Sequence, residues 1–290
     1  MRVLRLVKYA IRRYAWNYIP HAVRSYVALR CAGYWKNPNA YIFDVVSKKD
    51  FFVMRFAKDR EFKATPKLKK RAEFQMVKNG DCVDETRSFL KLSNSHRVLF
   101  DIGAADGIFS LLHCNAHPQN QSVAYEPSEV LMHELKSNMS LNALNDRVTY
   151  RQIAVGKEGV NTQMYLGDRN YVRPFSSTKN ATKLEVPTTT LDSDCSKLHL
   201  VPNIIKIDVE GYEYEVLLGA KVVINQHKPL IFLELHLNEL ERIHNRSKDI
   251  LEWLINQGYG LYSFTDQELR QSQVINSLKS VYRLIAKYKA

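Results

Sequence analysis

Four ionisable side chains at two strand ends carry the chemistry this 290-residue chain can offer. Residues 204–213 read IIKIDVEGYE, an apolar strand that runs into a helix. Period-2 alternation places Lys206, Asp208 and Glu210 on one side while the strand lasts, with Asp208 and Glu210 at its carboxyl end. Residues 230–236, LIFLELH, close a second strand with Glu234 and His236, again on one side. Asp208, Glu210, Glu234 and His236 are therefore expected on one rim. Such a group can move a pKa towards neutrality and create a general base. It can also hold Mg²⁺ or Mn²⁺ through oxygen ligands. His236 has the ordinary pKa best suited to a base near neutral pH. Asp208, with Glu210 or Glu234, is the alternative, as base or as metal ligand. The competing reading is a structural hydrogen-bond network between neighbouring strands.

A second constellation reads as a ligand site. Asp101-Ile-Gly-Ala-Ala-Asp-Gly107 follows an apolar strand and opens a helix. Gly103 permits a tight turn, and Gly107 permits close approach of backbone to ligand. A loop built for a diphosphate gains from a bare helix N-terminus. This one carries Asp101 and Asp106, which favours a cationic, hydroxyl-bearing ligand. S-adenosylmethionine (SAM), with its ammonium and sulfonium, fits. Glu126 ends the next strand just before Pro127, where an acidic side chain accepts the hydroxyl hydrogens of a ribose. The loop lacks G-x-G-x-x-G, which speaks against a nicotinamide cofactor.

The elements that must position these groups alternate. Strands are expected over 97–102, 122–126, 147–155, 203–208, 230–236, 259–264 and 280–286. Helices are expected over 107–115, 128–144, 212–225 and 248–257. This order implies a doubly wound, Rossmann-like α/β sheet, mostly parallel, with the last two strands as an antiparallel edge pair. Residues 156–190 are irregular, and Tyr165, Tyr171, Arg173 and Ser176 offer a wall for an acceptor. Upstream, 41–56 reads as a hairpin turning at 47–50. The charged stretch 57–71 with Pro66 reads as a loop, and 71–92 as a helix. Leu4, Val7, Ile11, Tyr14 and Tyr18 share one face of a helix over 1–18. Residues 1–80 are thus set apart as a basic extension, and 81–290 as the catalytic domain.

Composition narrows the partners. Hydrophobic residues make up 45% and charged residues 25%, values of a globular chain. The net charge of +12 is concentrated upstream, with 19 Lys and Arg against 5 Asp and Glu in residues 1–80. That asymmetry suits either a solvated surface or attraction to something anionic, such as peripheral contact of residues 1–30 with an anionic membrane, or nucleic acid. No run approaches the length of a membrane span. Cys31, Cys82, Cys114 and Cys195 form neither a metal pair nor a disulfide framework, so a cytoplasmic, reducing location is expected.

FDIGAADGIFS (100–110), AYEP (124–127), VPTTTLD (186–192), IKIDVEGYEYEVLLGA (205–220) and LELH (233–236) together resemble the FkbM-type SAM-dependent methyltransferases. The resemblance covers roughly residues 95–240. It implies a class I methyltransferase sheet and methylation of a hydroxyl oxygen on a sugar, glycan or other small natural product. It implies that Asp101, Gly103 and Gly107 line SAM, that Glu126 holds its ribose, and that Asp208 lies beside the transferred methyl. Ala104, Asp106 and Pro127 complete the expected cofactor-binding set. The family's loop usually carries Asn where this chain has Ala105. Two rival readings are a catalytically silent SAM-binding or partner-binding module and a nucleic-acid methyltransferase. The second is disfavoured: Asp-Val-Glu-Gly stands where amino-methylating enzymes carry Asn/Asp-Pro-Pro-aromatic, and acidic groups at the rim repel phosphates.

Overall fold

A computed structural model describes residues 44–56, 60–73, 80–157, 161–167, 170–174, 182–244, 247–277 and 279–289. The expected helix over 1–18, the membrane contact through 1–30, Cys31 and Ser176 lie outside these residues. The chain divides into two compact units, Met1–Phe62 and Lys63–Ala290. In the first, β1 (Asp44–Ser47) and β2 (Phe52–Phe56) pair antiparallel with Ser47 opposite Phe52. This is the expected hairpin, and the Lys48 N–H donates to the Phe51 carbonyl in its turn. β3 (Arg60–Ala64) is the third strand of that sheet and leads into the second unit.

The second unit begins earlier than the sequence division at 80/81. The segment expected as a loop through Pro66 is helix α1 (Pro66–Glu73). Proline at the first helical position lacks an N–H that would be unpaired there anyway. Thr65 caps the turn by accepting from the Leu68 N–H (3.3 Å). α1 is tied to the unit by side chains further along. The Lys63 N–H donates to Asn142 Oδ1 (2.8 Å), the Thr65 N–H to Asn138 Oδ1 (3.2 Å), and the Thr65 hydroxyl to Glu134. Helix α2 (Gly80–Ser93) follows, the later part of the helix expected over 71–92.

The sheet then builds as expected. β4 (Val98–Ile102) leads to α3 (Ile108–Ala116), β5 (Gln121–Tyr125) to α4 (Glu129–Leu141), and β6 (Val148–Arg151) ends the first half. The strand expected over 147–155 is two, β6 and β7 (Ala154–Val155), and the irregular stretch 156–190 contains β8 (Thr162–Leu166), β9 (Val172–Arg173), β10 (Thr182–Val186) and β11 (Thr188–Thr189). β8 pairs antiparallel with β9 and β10 as a separate small sheet, while β7 and β11 pair parallel. α5 (Leu191–Leu198) precedes β12 (Ile204–Ile207). The single helix expected over 212–225 is two, α6 (Glu213–Leu218) and α7 (Lys221–His227), with Gly219 as the C-cap of the first. β13 (Leu230–His236), α8 (Leu237–His244), α9 (Ser247–Asn256), β14 (Tyr259–Tyr262), α10 (Gln271–Ile275) and β15 (Val281–Tyr288) complete the order. The short helices α5, α8 and α10 were not anticipated.

The main sheet has seven strands in the order β14-β15-β13-β12-β4-β5-β6. β13, β12, β4, β5 and β6 run parallel. β15 runs against both β13 and β14, so the reversed strand lies one place in from the edge. Every residue of β12, and all of β13 after Leu230, is buried. Burial on both faces is the mark of a parallel sheet covered on both sides. Strand order reverses between β4 and β12, and ligands of such sheets bind beyond the carboxyl ends at that point.

Gly103 closes the crossing there. Its φ is +79°, and a Cβ would sit 1.9 Å from the Asp208 carbonyl oxygen. Gly103→Ala should therefore lower stability by more than the ~1–3 kcal/mol of backbone strain alone. Thermal unfolding of the variant should show a clear drop in Tm; an unchanged Tm would mean the two loops are not packed in this way.

Candidate active site

The loop after β4 has three left-handed residues, Gly103, Ala105 (φ +51°) and Gly107 (φ +83°). The Gly103 and Ala104 N–H groups both donate to the Tyr125 carbonyl (2.9 and 3.0 Å), so the loop is pinned to the end of β5. Glu126 holds it from the other side. Its Oε2 accepts from the Ala105 N–H (2.8 Å) and its Oε1 from the Ser128 N–H (2.8 Å). Burial pushes this carboxyl up to about 7, against the pull of those two donors and Arg71.

Two loop residues serve the scaffold. Asp101 accepts from the Ser110 N–H (3.1 Å) and hydroxyl (2.7 Å), and so anchors the first turn of α3. Burial raises it to about 6 despite those bonds. Gly107 faces α4: a Cβ there would lie 2.8 Å from Leu135 and 2.9 Å from Met139. Its freedom is needed for helix packing, not for the ligand approach expected from sequence. Asp101, Ala104 and Gly107 are not among the residues that line the cavity beside the loop. Gly103, Asp106, Glu126 and Pro127 are.

The same cavity, about 1090 Å³, is lined by Asp208, Glu210, Glu234 and His236, so the expected rim does converge. Beneath it lies a buried square of charge. Lys206 Nζ stands 3.3 Å from Glu85 and 3.7 Å from Glu234. Arg283 closes the square, 3.5 Å from Glu85 and paired through two N–H groups with Glu234. Lys206 is 0% exposed. Burial would lower its pKa, but Glu85, Asp208 and Glu234 outweigh it and raise it. Asp208 sits above the square, 3.9 Å from Lys206 and 3.9 Å from Arg71. Burial alone would raise the Asp208 carboxyl, but Lys206, His236, Arg71 and Arg283 hold it below the usual range. Burial and the Asp208 charge push Glu234 the other way.

His236 is gripped by carboxylates. Its Nδ1 is 2.7 Å from Glu213 Oε1, and its Nε2 is 3.8 Å from Glu210 and 3.9 Å from Glu234. Burial would lower the imidazole, yet Glu213, Asp208 and Glu210 carry it up to about 10. At neutral pH it holds its proton and donates, so it is not the free base its ordinary pKa suggested. Glu210, in a left-handed turn (φ +54°), pairs with Arg173 of β9 (2.8 Å), and burial raises its carboxyl. Tyr171 and Arg173 line the cavity as expected; Tyr165 is not among its lining residues.

Asp208, Glu234 and His236 bring one ligand atom each within 4.8 Å of one another. They do not fit a resident Mg²⁺ or Mn²⁺. Glu234 already takes two N–H groups of Arg283, Asp208 faces Lys206 and Arg71, and His236 is itself a cation. A divalent ion would have to displace buried positive charge.

Sequence reasoning did not find Arg71, Glu85, Glu213 or Arg283. A lysine inside an apolar strand is a signal that buried partners exist, and Arg283 lies directly opposite Glu234 in register. Neither signal names Glu85, whose helix gives no such cue.

A seven-stranded sheet of this order, with a glycine loop after its first parallel strand and an acidic residue after the next, defines a class I, Rossmann-like methyltransferase. The methyltransferase FkbM domain matches residues 101–261, and the chain belongs to that family. Among solved structures it is similar to a methyltransferase FkbM from Methylobacillus flagellatus KT (15% identity, TM-score 0.43), covering 67% of this chain and 44% of that one. It is also similar to a precorrin-6y C5,15-methyltransferase from Geobacter metallireducens GS-15 (14%, TM-score 0.41, covering 74% and 92%). An O-methyltransferase from Bacillus cereus in complex with SAH is another (14%, TM-score 0.41, covering 77% and 88%). No curated protein matches the chain. Among the described residues no helix is long and apolar enough to cross a membrane.

The His236 pKa, raised from 6.5 to about 10, makes stability depend on pH. The stabilisation is complete below the unfolded value and is lost as pH rises through the folded one. The Tm gap between the parent and His236→Gln should therefore shrink from pH 6 to pH 10. A gap that stays constant or widens over that range would show that the imidazole is neutral in the fold.

Proposed function

We propose that this methyltransferase acts on a hydroxyl oxygen of a glycan or other small polyhydroxyl natural product, with SAM as donor. Bound SAM supplies an electrophilic methyl on a sulfonium that is already a good leaving group. The chain's own residues fit that cofactor. Glu126 presents a buried carboxylate to the cavity from the end of β5, suited to a pair of ribose hydroxyls, and Pro127 ends the strand beside it. Asp106, 3% exposed, offers a carboxylate for an ammonium.

The observation that carries the reading is Asp208. It lines the cavity, its carbonyl packs on Gly103 of the cofactor loop, and buried cations keep its carboxylate ionised. A hydroxyl is a poor nucleophile while protonated. An ionised carboxylate at this place accepts its hydrogen bond and aims the oxygen, and much of the rate comes from that positioning. Glu210, with a raised pKa, is the better proton acceptor nearby, and protonated His236 holds it by charge. Tyr171, Val172, Arg173 and Tyr212 give the cavity an aromatic and polar wall that suits a ring bearing several hydroxyls.

Glu126→Ala should weaken binding of S-adenosylhomocysteine (SAH) by about 1–3 kcal/mol, measured by calorimetry; unchanged affinity would remove the ribose assignment. Asp208→Asn keeps the shape and loses the charge. It should cut turnover on a hydroxyl acceptor by about 10²–10⁴, while SAH affinity changes far less. Full activity of that variant would make the rim structural. SAM binding with no turnover on any acceptor of a glycan panel would favour a silent binding module.

A further inference from the structure

Arg71 and Asp106 face each other in the cavity wall without satisfying each other. Arg71 Nη1 stands 3.4 Å from Asp106 Oδ1. Both atoms are buried, and neither has a hydrogen-bond partner among the described residues. Both residues line the cavity, and Asp106 is 3% exposed. A buried donor and a buried acceptor left unmade each carry a desolvation cost. Side by side in a cavity wall they complement a ligand with one positive and one negative group on the same carbon. The α-ammonium and α-carboxylate of an amino acid are such a group.

Both side chains are held in place. Asp208 Oδ2 lies 3.9 Å from Arg71 Nη2 and draws the guanidinium by charge. Asn138 of α4 joins the two elements that carry the pair: it accepts from the Thr65 N–H at the start of α1, and its amide donates to the Asp106 carbonyl (3.0 Å). A seat assembled from two separate elements by one shared residue has its geometry set before a ligand arrives.

We infer that Arg71 and Asp106 form the seat for the amino-acid end of the cofactor, Arg71 receiving its carboxylate and Asp106 its ammonium. This rests on the reading of the cavity as a SAM site. Arg71 lies outside residues 101–261, the span of the family domain. Helix α1 is therefore part of the cofactor site, and the matched domain alone does not contain the whole of it. The seat also discriminates: an adenosyl compound without the amino-acid end has nothing to place there.

Calorimetry on the full chain with three ligands tests this: SAH, decarboxylated SAM, and 5′-methylthioadenosine, which lacks the amino-acid end altogether. Arg71→Met should weaken SAH by about 10–100-fold and leave the other two within about twofold. Asp106→Asn should weaken SAH and decarboxylated SAM, and spare 5′-methylthioadenosine. Retained 5′-methylthioadenosine binding also shows that each variant is folded. If Arg71→Met binds SAH as tightly as the parent, the seat is wrong while the SAM reading stands. If it weakens all three ligands alike, Arg71 shapes the pocket instead of receiving a carboxylate, and the assignment falls. If the parent binds none of the three, the SAM reading fails and takes the seat with it.

Discussion

The arrangement of this active site depends on one buried ammonium. Lys206 occupies the middle of β12 with no exposure, and a lone charge there would be prohibitive. It is tolerated because Glu85, Glu234 and Arg283 close an alternating square around it. Such a square adds little net stability compared with an apolar core of equal volume. Its effect is positional. Four side chains from α2, β12, β13 and β15 are locked together, and Asp208 rests on the square at the level of the cavity floor. The charge of Asp208 is thus set in part by Lys206, which is fully buried and does not line the cavity.

Above that floor the charges alternate again. Arg71 lies between Asp106 and Asp208, Arg173 pairs with Glu210, and protonated His236 sits among Glu210, Glu213 and Glu234. Almost every acid has a basic neighbour within 4 Å. The carboxyls diverge all the same: Lys206, His236, Arg71 and Arg283 together outweigh the burial of Asp208 and pull it down, whereas the burial of Glu126 outweighs its two backbone donors and Arg71 and carries it up. Two carboxylates on one cavity wall therefore offer different chemistry, one held below the usual carboxylate range and one raised to about 7.

The sheet and most of its order were legible because apolar strands and amphipathic helices alternate regularly from Val98 onward. The rim was legible for the same reason: period 2 along β12 and β13 fixes which side chains share a side. Local rules failed where tertiary contacts decide. Pro66 reads as a breaker until α1 is seen to begin at it, and α1 is held by Asn138 and Glu134, far along the chain. Gly107 reads as a ligand glycine, but its neighbours are Leu135 and Met139. His236 reads as a base because its ordinary pKa is 6.5, and only the three-dimensional crowd of carboxylates shifts it. Periodicity does not report which distant charge will be a neighbour.

The place of β15 couples the closing of the sheet to its charge balance. Among the described residues β14 pairs with β15, which lies between it and β13. β15 also carries Arg283, the fourth corner of the square. Without β15, Lys206 alone would face both Glu85 and Glu234, and β14 would have no partner in the sheet. One strand therefore both covers the β13 edge and supplies the second cation of the square, so the closing of the sheet and the balancing of its buried charge are a single event.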